Sequence, residues 1–257
     1  MFFQAWEYFI YFLEKEDEHS LHSPFYFNTY LELKSYLKKN KRGIESLEKQ
    51  RKFFLRQNTK IISDDLGAGS RWDSSSGRKV STIMKRVGTP LKFSLVYQFL
   101  CKQTPANTVL DLGTSLGINT AYLSNGAKGI LYSFEGDPAQ MKLAKKHLDS
   151  HYNVRLVSGN LDDSLGEIVR QVDSIDFVLM DANHRYAPTI AYFEAISPKL
   201  HDSSIVVIAD IHWSKEMKYA WNQLKKSPRV TGSMDFFECG VLFFRPNPEK
   251  THLVMAI

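Results

Sequence analysis

Cysteine is scarce, with only Cys101 and Cys239 in 257 residues. Two are too few for a disulfide framework, and their spacing fits no metal motif. Buried thiols are the expectation, because unpaired cysteine is among the most buried residue types. No apolar run reaches the roughly 18 residues that a membrane-crossing helix needs, so no span is expected. The stretch from Phe2 to Leu13 is aromatic, but no basic leader precedes it, Gln4 and Glu7 interrupt it and no small-residue cleavage site follows. A secretory signal is therefore not expected, and a cytoplasmic protein is. Internal repeats and long low-complexity tracts are also missing, which excludes solenoids and arrays.

What is present reads as a globular chain. A hydrophobic share of 43% beside 24% charged residues can bury a substantial core. The length suits one large α/β domain with an N-terminal extension. The net charge of +5 permits an anionic partner without requiring one. Its basic residues concentrate early, from Lys38 and Lys39 through Lys49, Lys52 and Arg56, but Glu45 and Glu48 break the run. That pattern suits a solvated helix face, so a nucleic-acid partner is not expected. Phe2, Phe3, Trp6, Phe9, Ile10 and Leu13 recur at helical spacing, as core or homodimer packing would require.

The chain divides near residue 90. Before it lie helices and polar loops, with a Gly- and Ser-rich loop from Asp64 to Gly77. After it, strands alternate with helices. Strands are expected at Thr108–Asp111, Ile130–Glu135, Val154–Val157, Ile175–Asp181 and Ser204–Asp210, with closing strands at Phe236–Phe244 and His252–Ile257. Helices are expected at 117–124, 138–148, 162–172, 188–200 and 215–225. Asp137-Pro138 forms a cap and first position for the second of these. Such alternation implies right-handed βαβ units in an open parallel sheet. Ligands then bind beyond the carboxyl ends of the strands, where Asp111, Glu135, Asp181 and Asp210 would form a polar rim.

Val109-Leu-Asp-Leu-Gly113-Thr114-Ser115-Leu-Gly117 reads as strand, tight turn and helix start. A dinucleotide loop needs Gly-x-Gly-x-x-Gly; counted from Gly113, this chain places Ser115 and Ile118 where the later glycines belong. With Tyr-Ser-Phe-Glu135-Gly136-Asp-Pro after it, the segment resembles the first two motifs of class I S-adenosylmethionine-dependent methyltransferases. The resemblance covers residues 85–257. It implies an α/β, Rossmann-like fold: a mostly parallel seven-stranded sheet with an antiparallel closing strand, behind a helical cap at 1–84 that shapes the acceptor pocket. It also implies S-adenosylmethionine as cofactor. Asp111, Gly113, Thr114, Ser115 and Gly117 would surround its methionine half, and Glu135 with Gly136 its ribose. Asn160, Leu161 and Asp162 would flank the adenine, although Asp162 equally suits a helix cap.

The segments Asp181-Ala-Asn-His184-Arg-Tyr and Asp210-Ile-His212-Trp resemble the O-methyltransferase branch that acts on catechols and caffeoyl-CoA. In that branch an Asp after the fourth strand and an Asp-Asn pair after the fifth hold a divalent metal. Asp181 and Asp210 match, so they are the candidate ligands for Mg²⁺. Asp181 also borders the cofactor site. Ile211 stands where the Asn belongs and cannot ligate a cation. His212 is expected to substitute, because residues two apart on an extended segment point the same way. Removing a proton from a hydroxyl acceptor calls for a side chain within hydrogen-bond reach, and Asp181, His184, Asp210 and His212 are the candidates. The acceptor is expected to be a small molecule. A macromolecular methyltransferase is the alternative, though the place after the fourth strand lacks the Pro pair of base-amine enzymes. A catalytically silent cofactor-binding protein is the third reading, since fold alone does not establish activity.

Overall fold

The computed structural model describes residues 2–62, 77–247 and 249–257. Most of the expected 64–77 loop therefore lies outside the described residues. Ten helices and ten strands are described, none of the helices long and apolar enough to cross a membrane. The N-terminal third carries α1 (Phe2–Glu14), α2 (Pro24–Lys39) and α3 (Glu45–Arg56). A two-stranded antiparallel pair, β1 (Lys60–Ile61) and β2 (Arg78–Lys79), follows, so the cap is not wholly helical. Then come α4 (Val80–Val87), which runs across position 84, and α5 (Leu91–Lys102).

From here strand and helix alternate: β3 (Thr108–Leu112), α6 (Ile118–Ser124), β4 (Ile130–Glu135), α7 (Pro138–Leu148), β5 (Val154–Ser158), α8 (Leu161–Gln171), β6 (Ile175–Met180), α9 (Tyr186–Ile196), β7 (Leu200–Ala209) and α10 (Lys215–Lys226). The helix starts are set by local chemistry. Asp137 accepts from the amides of Ala139 and Gln140 with Pro138 in the first turn, Asn160 caps α8, and Ser214 caps α10. Helix α9 stops at Ile196, and Pro198 sits in the 3₁₀ turn beyond it.

The chain closes with β8 (Gly232–Asp235), β9 (Cys239–Phe243) and β10 (Thr251–Val254). The main sheet has eight strands rather than the expected seven, in the order β10-β8-β9-β7-β6-β3-β4-β5. Only β9 runs against the others. The expected closing strand at 236–244 is the second arm of a hairpin. Its first arm, β8, begins on Gly-Ser and carries no apolar run that would mark it. Phe237, at φ +68, makes the turn.

Side chains alternate across the sheet with period two. Val109, Phe177, Leu179, Ile205 and Val207 pack under α2 and α5. Leu110, Val178, Met180, Val206 and Ile208 pack under α8, α9 and α10. A third cluster joins the cap residues Leu47, Phe54 and Met84 to Leu95, Ile118 and Leu148, so the cap shares a core with the sheet domain. The chain runs from β3 outward through β4 and β5, then returns to β6 on the other side of β3. The C-terminal ends of β3 and β6 therefore border a topological switch point, the crevice where open α/β sheets bind ligands.

Candidate functional site

Two loops meet at this crevice. After β3, Gly113 adopts φ +124, and a Cβ built there would lie 2.2 Å from the carbonyl oxygen of Asp181. Only glycine permits both that backbone and that approach. Ser115 follows at φ +48 and Gly117 at φ +83. A non-glycine residue in the left-handed region is strained, and Glu135 holds this one in place. Its Oε2 accepts from the Ser115 amide at 2.7 Å, and its Oε1 from the Asp137 amide at 2.8 Å. The Gly136 amide also faces the carboxylate. Burial raises the Glu135 pKa, against the pull of these amides.

Asp111 lies below the rim, one residue inside β3 and fully buried. Its Oδ2 accepts from Thr120 at 2.6 Å and Ser133 at 2.8 Å, while Oδ1 has no partner among the described residues. Burial pushes this carboxyl up to about 7. Thr114 turns its hydroxyl inward onto Ser133 at 2.6 Å, so it braces the loop from beneath. Ser115 Oγ donates to Gln140.

Beyond β5, Gly159 adopts φ +117 and faces open space. Asn160 is the helix cap, leaving Asp162 free of that role. Leu161 is buried in the core beneath α8 and α9. Asp162 accepts from the Tyr192 hydroxyl at 2.7 Å, and that hydroxyl accepts from Asn183 at 2.6 Å. This chain ties the turn after β5 to the loop after β6. The arrangement fits S-adenosylmethionine: a glycine cradle, an orphaned buried carboxylate oxygen below it, a carboxylate at the end of β4 and open space beside Gly159.

Asp181 and Asp210 follow the last residues of β6 and β7. His184 Nε2 stands 3.6 Å from Asp181 and 3.7 Å from Asp210. One ligand atom from each of the three lies within 4.8 Å of the others. Burial raises the pKa of both carboxylates, that of Asp181 to about 6 against the opposing charge of His184. Asn183, His184 and Asp210 all have positive φ, and strain of this kind clusters at functional sites.

His212 does not join the trio. The left-handed backbone of Asp210, φ +58, breaks the extended run on which that expectation rested. A turn follows, closed by the Trp213 amide on the Asp210 carbonyl, and the His212 ring points inward. Its Nδ1 pairs with Glu7 at 2.8 Å and its Nε2 with Asp235 at 2.9 Å, with Phe237 stacked on its face. Ile211 is also buried. His184 takes the place that His212 was expected to hold.

Thr89 is the site residue that the sequence did not announce. Its hydroxyl lies 3.5 Å from Asp181 Oδ2 and accepts from Asn119. Thr89-Pro90 before an apolar stretch signals a helix start, but a contact 92 positions along the chain leaves no local mark.

Residues 110–211 match a family model described as a methyltransferase domain. No curated protein sequence matches the chain. Among solved structures it is similar to an S-adenosylhomocysteine-bound methyltransferase from Podospora anserina, with a TM-score of 0.60 at 14% identity, over 88% of this chain and 100% of that one. It is also similar to an O-methyltransferase from Bacillus cereus in complex with S-adenosylhomocysteine (TM-score 0.52, 16% identity, 62% of this chain and 83% of that one). A third is the O-methyltransferase from Streptomyces achromogenes involved in tomaymycin synthesis, in complex with S-adenosylmethionine (TM-score 0.51, 15% identity, 62% and 82%). With its crevice built at the β3–β6 switch point, this chain has the fold of these S-adenosylmethionine-dependent methyltransferases, and its residues 110–211 match a methyltransferase domain.

Proposed function

We propose that the chain transfers a methyl group from S-adenosylmethionine to an oxygen of a small-molecule acceptor held at Asp181, His184 and Asp210. The observation that carries this is adjacency. Gly113 of the cofactor loop rests against the carbonyl of Asp181, so the trio begins where the loop ends. The cofactor supplies an electrophilic methyl group on its sulfonium. Glu135 would hold the ribose, the 113–117 turn the methionine half, and the Gly159–Asp162 turn the adenine side. The protein's share is alignment of the acceptor oxygen, which can supply several kcal/mol of barrier reduction, and removal of its proton. His184 Nε2 takes that proton, and the flanking carboxylates stabilise the imidazolium.

A second reading rests on the 4.8 Å grouping of the three ligand atoms. A divalent cation there would lower the pKa of the acceptor hydroxyl. One imidazole and two carboxylates suit Mn²⁺ or Zn²⁺ better than the Mg²⁺ expected from an all-oxygen set. Two unpaired, buried thiols support a cytoplasmic setting for this activity, and we propose that the chain works there as a homodimer.

Calorimetry with S-adenosylhomocysteine, with NAD as the control and with and without Mn²⁺, tests the assignment. Micromolar binding of the first and none of the second is expected; the reverse would sink it. His184→Ala should then lower methyl transfer by about 10²–10⁴-fold and leave S-adenosylhomocysteine affinity unchanged. Loss of a Mn²⁺ binding signal in that variant would favour the metal reading.

A further inference from the structure

Helix α1 is inside out. Gln4, Glu7 and Tyr11 face the body of the protein, whereas Phe2, Trp6, Phe9, Phe12 and Leu13 each leave at least half of their surface exposed. The inward contacts are specific. Gln4 Nε2 donates to the Trp213 carbonyl, Glu7 bridges His212 and Lys218, and Tyr11 donates to the Met255 carbonyl. The Glu7–Lys218 and Glu7–His212 pairs are both 2.8 Å long. The helix is thus pinned by its polar side and holds out its aromatic side as a rigid face. The i, i+4, i+7, i+11 spacing of Phe2, Trp6, Phe9 and Leu13 makes that face one continuous stripe.

We propose that this stripe is the seam of a symmetric homodimer, in which α1 of one copy packs antiparallel against α1 of another. The inference rests on the homodimer reading above and names the surface. Area is the first argument. At roughly 150–250 Å² per aromatic side chain, the exposed parts of the stripe with Tyr8 and Trp213 come to about 800 Å². A stable dimer buries about 800 Å² per partner, whereas the largest apolar patch of an ordinary monomer is about 300–600 Å².

Charge is the second argument. Helix α1 has no acid in its first turn and no base in its last, and it ends on Glu14. Its N-terminal pole is uncompensated by its own side chains. Antiparallel two-fold pairing sets Glu14 of each copy against the positive N-terminal pole of the other. A lipid surface fits less well. Interfacial helices carry lysine and arginine on their polar face; residues 2–14 contain neither, and the one lysine that follows, Lys15, is outnumbered by Glu14, Glu16 and Asp17, which would meet anionic headgroups. The seam also borders the turn that carries Asp210, because Gln4 holds Trp213 three residues beyond it.

Sedimentation velocity of the full chain at micromolar concentration, beside a Trp6→Glu, Phe9→Glu double variant, is the test. Both side chains are at least half exposed in the single copy, so the variant keeps its fold, read by circular dichroism. A dimeric wild type and a monomeric variant are expected. A dimer that persists in the variant overturns the α1 seam and leaves the homodimer reading standing. A monomeric wild type overturns both. A monomeric wild type that co-sediments with vesicles containing phosphatidylserine overturns both in favour of a membrane surface. No outcome depends on methyl transfer.

Discussion

The guanidinium of Arg51 donates to the carbonyl oxygen of Thr89, so a buried cation of α3 holds the residue whose hydroxyl approaches Asp181. The same guanidinium reaches Ser94, which donates to Asn119 at 2.7 Å, and Asn119 donates back to Thr89. Glu48 balances the charge at 3.1 Å and also accepts from Tyr122. The cap is thereby wired to the Asp181 side of the crevice.

Arg51→Met removes the buried cation and leaves Glu48 without its counter-charge. Breaking a buried pair by deleting one partner costs about 3–5 kcal/mol. Urea denaturation should show a loss on that scale. A loss below about 0.5 kcal/mol, as for an exposed pair, would mean that water replaces the guanidinium and that the cap is held by its apolar cluster alone.

Glu135→Ala should weaken S-adenosylhomocysteine binding by about 1–3 kcal/mol, the scale of losing charged hydrogen bonds. It also frees the amide that keeps Ser115 at positive φ, so the cofactor turn loses its brace. Glu135→Gln keeps one acceptor oxygen and should recover part of the affinity. Calorimetry on both variants separates ribose recognition from loop support, and unchanged affinity in both would remove Glu135 from the site.

Asp111 gives the fold a pH dependence. Its carboxyl titrates near its ordinary value of 3.8 in the unfolded chain and at about 7 in the folded one. With the folded value raised, its stabilising contribution is fully present below about pH 4 and is lost as pH rises through 7, with a slope of at most about 1.4 kcal/mol per pH unit. Asp111→Asn keeps an acceptor for Thr120 and Ser133 and cannot ionise. Thermal melts of the cofactor-free protein between these limits should show a flatter pH profile in the variant; identical slopes would mean that Asp111 stays ionised in the fold.

The sheet was legible in the sequence because its central strands are covered on both faces and read as near-continuous apolar runs. Ile130–Glu135 and Ile175–Met180 lie where the runs place them. The tight turn after β3 was legible through Gly113 and Gly117, whose spacing reflects backbone demands that act within a few residues. Three features were not. Strand β8 has no hydrophobic signature of its own and is held between β9 and β10, both of which follow it in the chain. The inward turn of His212 follows from a left-handed Asp210, a conformation with no glycine to announce it. The sorting of α1 into a polar inner face and an aromatic outer one depends on His212, Lys218 and Met255, all more than 200 positions away. Spacing identified a stripe but not the side it faces.

The contact between Gly113 and the Asp181 carbonyl has a consequence for how this protein can change. Two loops with separate tasks share a single tolerance, since neither can thicken without displacing the other. Change at the crevice is then left to parts that meet it from other elements, such as the Thr89 turn. The 113–181 junction is thus a fixed point on which the two loops close.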